Sequence, residues 1–285
     1  MEQLSFEMLN RIIKFTISAV FFFFAGFVKT IRSLIGKKID GTLVVLTYHS
    51  VQPHQKNRFR DQMEMLIREG TPVFPDIEGP LPENAHYIAV TFDDGYLNFI
   101  QNALPILQEW KIPAILFIPV GYLGKLPGWI THHDHPNYHE KLMSADQLKG
   151  LLKNQFKIGS HCISHPRLTT LDPKQVKREL FESKSILETL LGKEVTTLSF
   201  PYNDFNKDIV QLAKQAGYFR VFANVPAYPT SKIDKFLHGR IEVSLDDWYI
   251  EYWLKVRGAY QWLSLAIKIK RILVNMKLIF KRGVV

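Results

Sequence analysis

The chain has 285 residues, of which 46% are hydrophobic and 22% charged. That is enough to bury a large core unaided, and it excludes a disordered, fibrous or collagen-like protein. A single cysteine excludes an internal disulfide framework and a structural zinc site built from several cysteines. The net charge of +9 would suit a nucleic-acid binder if the folded body carried it, but residues 1–38 hold +4, residues 252–285 hold +8, and residues 39–251 are left at −3. Both cationic segments are terminal and rich in apolar residues, which points to a membrane and away from nucleic acid. The expected division is 1–38 as a membrane segment with a basic flank, 39–251 as the body, and 252–285 as a basic C-terminal helix.

Phe15 to Val28 is an uncharged run bounded by Lys14 and Lys29. As a helix it spans about 21 Å, short of the ~30 Å hydrocarbon core. It reads as a membrane anchor or a deeply inserted interfacial helix. No A-x-A-like cleavage site follows it, and a buried core helix would not usually carry four consecutive phenylalanines, Phe21 to Phe24. If the run spans, two Lys/Arg residues precede it and four follow, so the positive-inside rule weakly favours a cytoplasmic body at a bacterial inner membrane.

Short β-branched and aromatic runs then alternate with amphipathic helices, which predicts an α/β architecture. Strands are expected at 43–49, 87–92, 114–119, 156–160, 197–200, 218–223 and 239–243. Helices are expected at 59–69 and 97–110, after the Ser144/Gln147 capping box, after Asp172-Pro173 as far as Gly192, and from Asn206 to Ala216. Seven strands with intervening helices predict one parallel barrel. Residues 121–143 form one long loop that holds Trp129, His132, His133, His135 and His139. Its histidines suit a polar rim with Trp129 as a flat face for a sugar ring, or less simply a second metal site. At the far end, Gln261, Ser264, Lys268, Arg271 and Asn275 recur at helical spacing on an apolar helix. That stripe suits an anionic bilayer surface, or a helix packed on the body with its lysines solvated.

In such a barrel the reactive groups gather at the carboxyl ends of strands. The expected exits read Tyr48-His49-Ser50, Thr91-Phe92-Asp93-Asp94-Gly95, Ser160-His161-Cys162-Ile163-Ser164-His165, and Ser199-Phe200-Pro201-Tyr202-Asn203. Each alone is weak: an Asp-Asp-Gly is commonly a solvated turn, and a His-x-x-x-His pair is commonly incidental. Together they offer two carboxylates and three imidazoles to one space. Three ligands with an open position make a catalytic zinc-type site. Cys162 has no base partner beyond histidines already used and reads as packing.

The ordered set TFDDG, SHCISH and SFPYNDFN resembles the NodB-homology polysaccharide deacetylases, carbohydrate esterase family four, over roughly residues 42–250. The resemblance implies a distorted (β/α) barrel that removes N-acetyl groups from N-acetylhexosamine units of an envelope or exopolysaccharide glycan, or of a lipid-linked precursor. It implies a divalent metal, zinc or else cobalt or nickel, held by Asp94, His161 and His165. Asp93 matches the general base, and Tyr202 matches the residue whose backbone N–H helps hold the oxyanion. An ionised Asp93 beside the cation fits a base that takes a proton from water.

The sequence departs from the family at two points. Leu198-Ser199-Phe200 stands where many members carry an arginine, and Arg240 is the expected substitute, unless it is a surface cation. No histidine follows His238, so the usual late acid is missing. The early YHSV segment resembles a permuted branch in which His49 is the acid, with His238 as the alternative and a hydrogen-bonded core histidine as the non-catalytic explanation. Asp247 either orients a base or caps the next helix. Two other functions fit the same residues: O-acetyl ester cleavage on a polysaccharide, and a non-catalytic glycan-binding assembly subunit, which the missing arginine would favour.

Overall fold

The computed structural model describes residues 2–152, 155–225 and 236–267, with side chains described from residue 6 onward. The predicted basic stripe from Lys268 onward therefore lies outside the described residues. After a long N-terminal helix, α1 (Glu2–Leu34), the chain runs β1 (Thr42–Tyr48), α2 (Lys56–Glu69), β2 (Thr71–Pro72), β3 (His86–Phe92), α3 (Leu104–Glu109), β4 (Ala114–Ile118) and α4 (Ala145–Leu151). It continues with β5 (Phe156–Ser160), α5 (Pro173–Leu191), β6 (Thr197–Ser199), α6 (Lys207–Gln215), β7 (Arg220–Ala223), β8 (Leu237–Gly239), β9 (Ile241–Glu242) and α7 (Tyr249–Val256).

The strands are parallel and pair in the order β8-β7-β6-β5-β4-β3-β1-β9, with β2 added on β3. This is a nearly closed barrel, the distorted (β/α) barrel expected. The single strand expected at 239–243 is instead two short strands. Leu237–Gly239 pairs with β7 at one end of the path, and Ile241–Glu242 pairs with β1 at the other. Arg240 lies between them, at the seam where the barrel closes. The two-residue strand β2 was not foreseen.

Side-chain alternation with period two sorts the strands into two cores. Val45, Ala89, Ile115, Phe117 and Phe222 pack inside the barrel, whereas Val44, Leu46, Ile88, Val90 and Leu116 belong to the larger core shared with the helices. The helix ends follow their signals. Ser144 and Asp172 form capping boxes with Gln147 and Gln175, and Gly192 ends α5 at φ 63°. The helix expected at 97–110 is broken: Phe99–Ala103 is a π-helical turn, and α-helix resumes only at Leu104 with Pro105 in its first turn. Proline has no N–H to continue the ladder, so the chain restarts the helix there. The boundary drawn at 251 falls inside α7, whose Leu254 and Val256 are core residues.

Candidate active site

The strand exits meet at one open cavity of about 990 Å³, lined by His49, Asp93, Asp94, His161, His165 and Tyr202 among others. The consecutive carboxylates of Asp93 and Asp94 both reach it because Asp94 takes a left-handed backbone conformation at φ 68°. Gly95 follows at φ 68°, where a Cβ would stand 2.5 Å from Ile118 Cδ1. Of the seven non-glycine residues with positive φ among those described, four line this cavity, Asp94, His165, Tyr202 and Asn203, and a fifth, Cys162, follows His161 directly. Such conformations are costly for side-chain-bearing residues and concentrate where function over-determines the backbone.

Asp94, His161 and His165 each present a ligand atom within 4.8 Å of the others, all buried. His161 Nδ1 lies 2.7 Å from the Ser199 carbonyl. A carbonyl only accepts, so Nδ1 carries the proton and Nε2 is left with its lone pair. That Nε2 is 3.6 Å from Asp94 Oδ1, and His165 Nε2 is 3.2 Å from the same oxygen. Burial lowers His161 to about 4, against the pull of Asp93, so the ring is neutral at pH 7. Burial alone would raise the Asp94 carboxyl, but the adjacent His165 ring first and then the other imidazoles hold it well below the usual carboxylate range. Asp94 Oδ1 is buried without a hydrogen-bond donor. A tetrahedral ion with bonds of ~2.0–2.1 Å separates its donors by roughly 3.3 Å, so this anion with two imidazoles fits a divalent cation. The Trp129 ring stacks on His165 at 4.3 Å and also lines the cavity, so the residue expected as a sugar platform also fixes the His165 ring.

Asp93 is held differently. Arg240 Nη1 and Nη2 donate to Asp93 Oδ1 and Oδ2, each at 2.7 Å. Nη2 also donates to Ser199 Oγ at 2.7 Å, and Nη1 to Thr91 Oγ1 at 3.1 Å. Arg240 is 1% exposed and lies over the Phe117 ring inside the barrel, so it is not a surface cation. Burial pushes the Asp93 carboxyl up, but Arg240 first and then His161 outweigh it and leave Asp93 below its ordinary value, ionised. Ser199, in the segment where many relatives carry arginine, is the hydroxyl through which Arg240 is steadied.

Residues 81–221 match the polysaccharide deacetylase family model. The chain is similar to this family over those 141 of its 285 residues. YxkH of Bacillus subtilis strain 168 is 25% identical over 213 residues, 71% of each chain. The poly-beta-1,6-N-acetyl-D-glucosamine N-deacetylase of Staphylococcus aureus strain MSSA476 is 26% identical over 179 residues, 59% of this chain and 58% of that protein. The structure of IcaB from Ammonifex degensii shares the fold with a TM-score of 0.61 at 24% identity, covering 78% of this chain and 97% of that one. The matched segment starts after His49 and ends before Arg240. Only the three-dimensional arrangement brings those two residues to the deacetylase motifs.

Elsewhere in this deacetylase barrel the sequence expectations divide. His49 lines the cavity, close enough for its charge to bear on both Asp93 and Asp94. His238 does not line it; it is buried in β8 beside the Phe222 ring at 5.9 Å. The loop histidines are exposed, and only His132 and His135 line the cavity. Among the described residues the one metal-type cluster is Asp94, His161 and His165, without them. Cys162 is fully buried and its thiol is raised by that burial, in keeping with packing. Asp247 neither orients Asp93 nor caps α7. Its carboxylate takes Lys255 Nζ at 2.7 and 2.8 Å and the Ser244 N–H at 3.0 Å.

Sequence reasoning missed Asn137 and Tyr96. Asn137 Oδ1 accepts from Ser50 Oγ at 2.8 Å and Gln52 Nε2 at 2.9 Å, tying the long loop to the segment that carries His49. Burial and then the neighbouring Asp94 carboxylate push the Tyr96 phenol up, so it remains a neutral donor at the cavity wall. Tyr96 stands two residues past Asp93-Asp94, a position that marked it; nothing in sequence marks Asn137.

Proposed function

We propose that this deacetylase removes N-acetyl groups from N-acetylhexosamine units of an envelope or exopolysaccharide glycan, or of its lipid-linked precursor, with a divalent cation at Asp94, His161 and His165. The observation that carries the reading is the convergence of the Asp94, His161 and His165 donors with an ionised Asp93 in one cavity. The name of the Staphylococcus aureus relative, a poly-beta-1,6-N-acetyl-D-glucosamine N-deacetylase, supports the substrate class. Zinc suits two imidazoles and a carboxylate, and cobalt or nickel accept the same donors.

When bound, such a cation supplies a Lewis acid that polarises the amide carbonyl and makes a water more acidic. The remaining steps belong to the protein. Asp93, its two oxygens held by Arg240, takes a proton from the attacking water. The backbone N–H of Tyr202 donates to the oxygen on which charge develops as the carbonyl carbon becomes tetrahedral. His49, across the cavity, gives a proton to the departing amine, and the C–N bond breaks to release acetate and a glucosamine-type amine. His49 is the acid in preference to His238 because it lines the cavity. Arg240 restores the positioning cation, which favours an enzyme over a glycan-binding subunit.

We assign the chain, in the same proposal, to a membrane, the inner membrane of a bacterium. Among the described residues, one helix, with Phe6–Leu34 as its apolar part, is long and apolar enough to cross one. Acetate release from N-acetylated oligosaccharides tests the chemistry. Asp93→Asn and His161→Ala should each abolish it, and only the second should lose metal; full activity in either variant overturns the assignment.

A further inference from the structure

The apolar run of α1 does not stand away from the body. Phe15 meets the Trp248 ring edge-on at 5.8 Å, Phe22 meets Trp253 at 4.9 Å, and Trp262 Nε1 donates to a fully buried Ser18 at 2.8 Å. Arg11 donates to Glu251 Oε2 at 2.6 and 2.8 Å and to the Asp246 carbonyl at 2.7 Å. It balances a cluster in which Asp247 and Glu251 otherwise share only Lys255. Loss of α1, as with a cleaved leader, would leave two buried carboxylates on one ammonium. These contacts tie α1 into the folded protein.

The faces of α1 then decide its orientation. At about 100° per residue, Arg11, Phe15, Ser18 and Phe22 share the side that meets the body, and the exposed Lys14 and Arg32 stand at its edge, between it and the outer face. Ile13, Ile17, Val20, Phe24, Phe27 and Ile31 recur at the same spacing on the opposite side, each at least 40% exposed. The apolar stripe of this helix therefore faces out over about 27 Å from Ile13 to Ile31, far more exposed apolar surface than a soluble monomer tolerates. A spanning helix has no use for a polar stripe. Spanning would also carry Trp248, Trp253 and Trp262, with the polar backbone around them, into hydrocarbon.

We infer that α1 lies in the plane of the membrane as an interfacial helix fixed to the barrel, its outer face sunk among lipid tails of a bilayer. This rests on the membrane placement proposed above and replaces spanning with lying flat. The occupant is lipid because cations edge the apolar face. Lys14, Lys29, Arg32 and Lys37 are exposed along and just beyond α1, against a single described acid, Glu7, on the helix, while Lys38 is paired with Glu83 at 2.6 Å. Each cation near an anionic headgroup adds roughly 1 kcal/mol at the surface. Arg11 holds the carbonyl of Asp246, a residue of the cavity wall, so the mouth of the site opens beside the lipid surface. With α1 flat, the Lys/Arg count across it no longer assigns the body to a side.

The intact chain, mixed with sealed phosphatidylcholine vesicles with and without phosphatidylglycerol, tests this by flotation. Bound Lys14→Cys and Lys29→Cys proteins are then treated with a membrane-impermeant maleimide from outside; native Cys162 is buried and silent. Flotation favoured by the anionic lipid, with both sites labelled equally, is expected. The Val20→Glu/Phe24→Glu pair should lower the bound fraction about tenfold or more, with acetate release from a soluble oligosaccharide unchanged. One site labelled only after vesicle lysis would overturn the flat orientation while leaving the membrane placement. No flotation with either vesicle would overturn both, as would a soluble dimer that the glutamate pair dissociates. Vesicle-bound protein that releases no acetate would count against the chemistry alone.

Discussion

Replacing Arg240 by methionine removes four hydrogen bonds at once, two of them to Asp93, and leaves that carboxylate with one contact, Ser199 Oγ at 3.3 Å. Asp93 is 2% exposed, so water cannot take over. Removing one partner of a buried pair costs about 3–5 kcal/mol, because the surviving charge stays buried and unpaired. The sign of the pH dependence separates this from a packing defect. In the parent, Asp93 is below its unfolded value, so its contribution is complete above that value and is lost as pH falls through the folded one. In Arg240→Met burial is opposed mainly by His161, which is neutral in this pH range, so the folded value moves above the unfolded one. The fold then binds more protons than the unfolded chain between the two, and the variant loses stability as pH rises through that window. Urea unfolding from pH 5 to 7 should therefore show the deficit against the parent growing with pH. The acidic limb of kcat/KM should move upward as the base becomes harder to ionise. Arg240→Lys keeps the charge without the fork and should fall between the two. A constant deficit below about 1 kcal/mol with an unmoved acidic limb would refute the reasoning.

His49→Gln should lower kcat by about 10²–10⁴-fold with bound metal unchanged, measured as acetate release beside metal content. Asn137→Ala strips the acceptor from Ser50 and Gln52 and should cost about 1–3 kcal/mol in urea unfolding, with a lower kcat because the segment carrying His49 is no longer tied down. Chelation should abolish activity and lower the unfolding midpoint, and zinc should restore both.

The motifs were legible because the reactive side chains sit at strand exits, where a few consecutive letters carry them. TFDDG and SHCISH each deliver their groups within six residues, and the structure needs only the turn at Asp94 to bring both carboxylates inward. Burial separated His49 from His238, and one-letter patterns do not record burial. The strand expected at 239–243 was misread for a related reason. Its residues alternate like one strand, but their partners differ, β7 before Arg240 and β1 after it. A pairing partner 195 residues away, as Leu46 is from Ile241, leaves no local trace. The role of Asn137 is illegible for the same reason: its hydrogen bonds reach back 85 and 87 residues from a loop without periodicity. In α1 the signal was present at spacings of three and four, but the block of phenylalanines drew attention to length and away from the faces.

The barrel seam and the base are one device. Arg240 can turn into the barrel only because β8 and β9 end on either side of it, one joined to each end of the sheet. Its guanidinium then reaches across the lumen to β3 at Thr91 and Asp93 and to β6 at Ser199. An arginine supplied next to the Pro-Tyr pair would be held by one strand; here the cation is held by the closure of the barrel. Loosening the seam should therefore act on catalysis before it unfolds the protein, since β9 pairs with β1 at only two positions whereas β1 and β3 pair at seven. A pairing of only two positions carries the residue that holds the base, so the barrel must close before Asp93 is fixed in place.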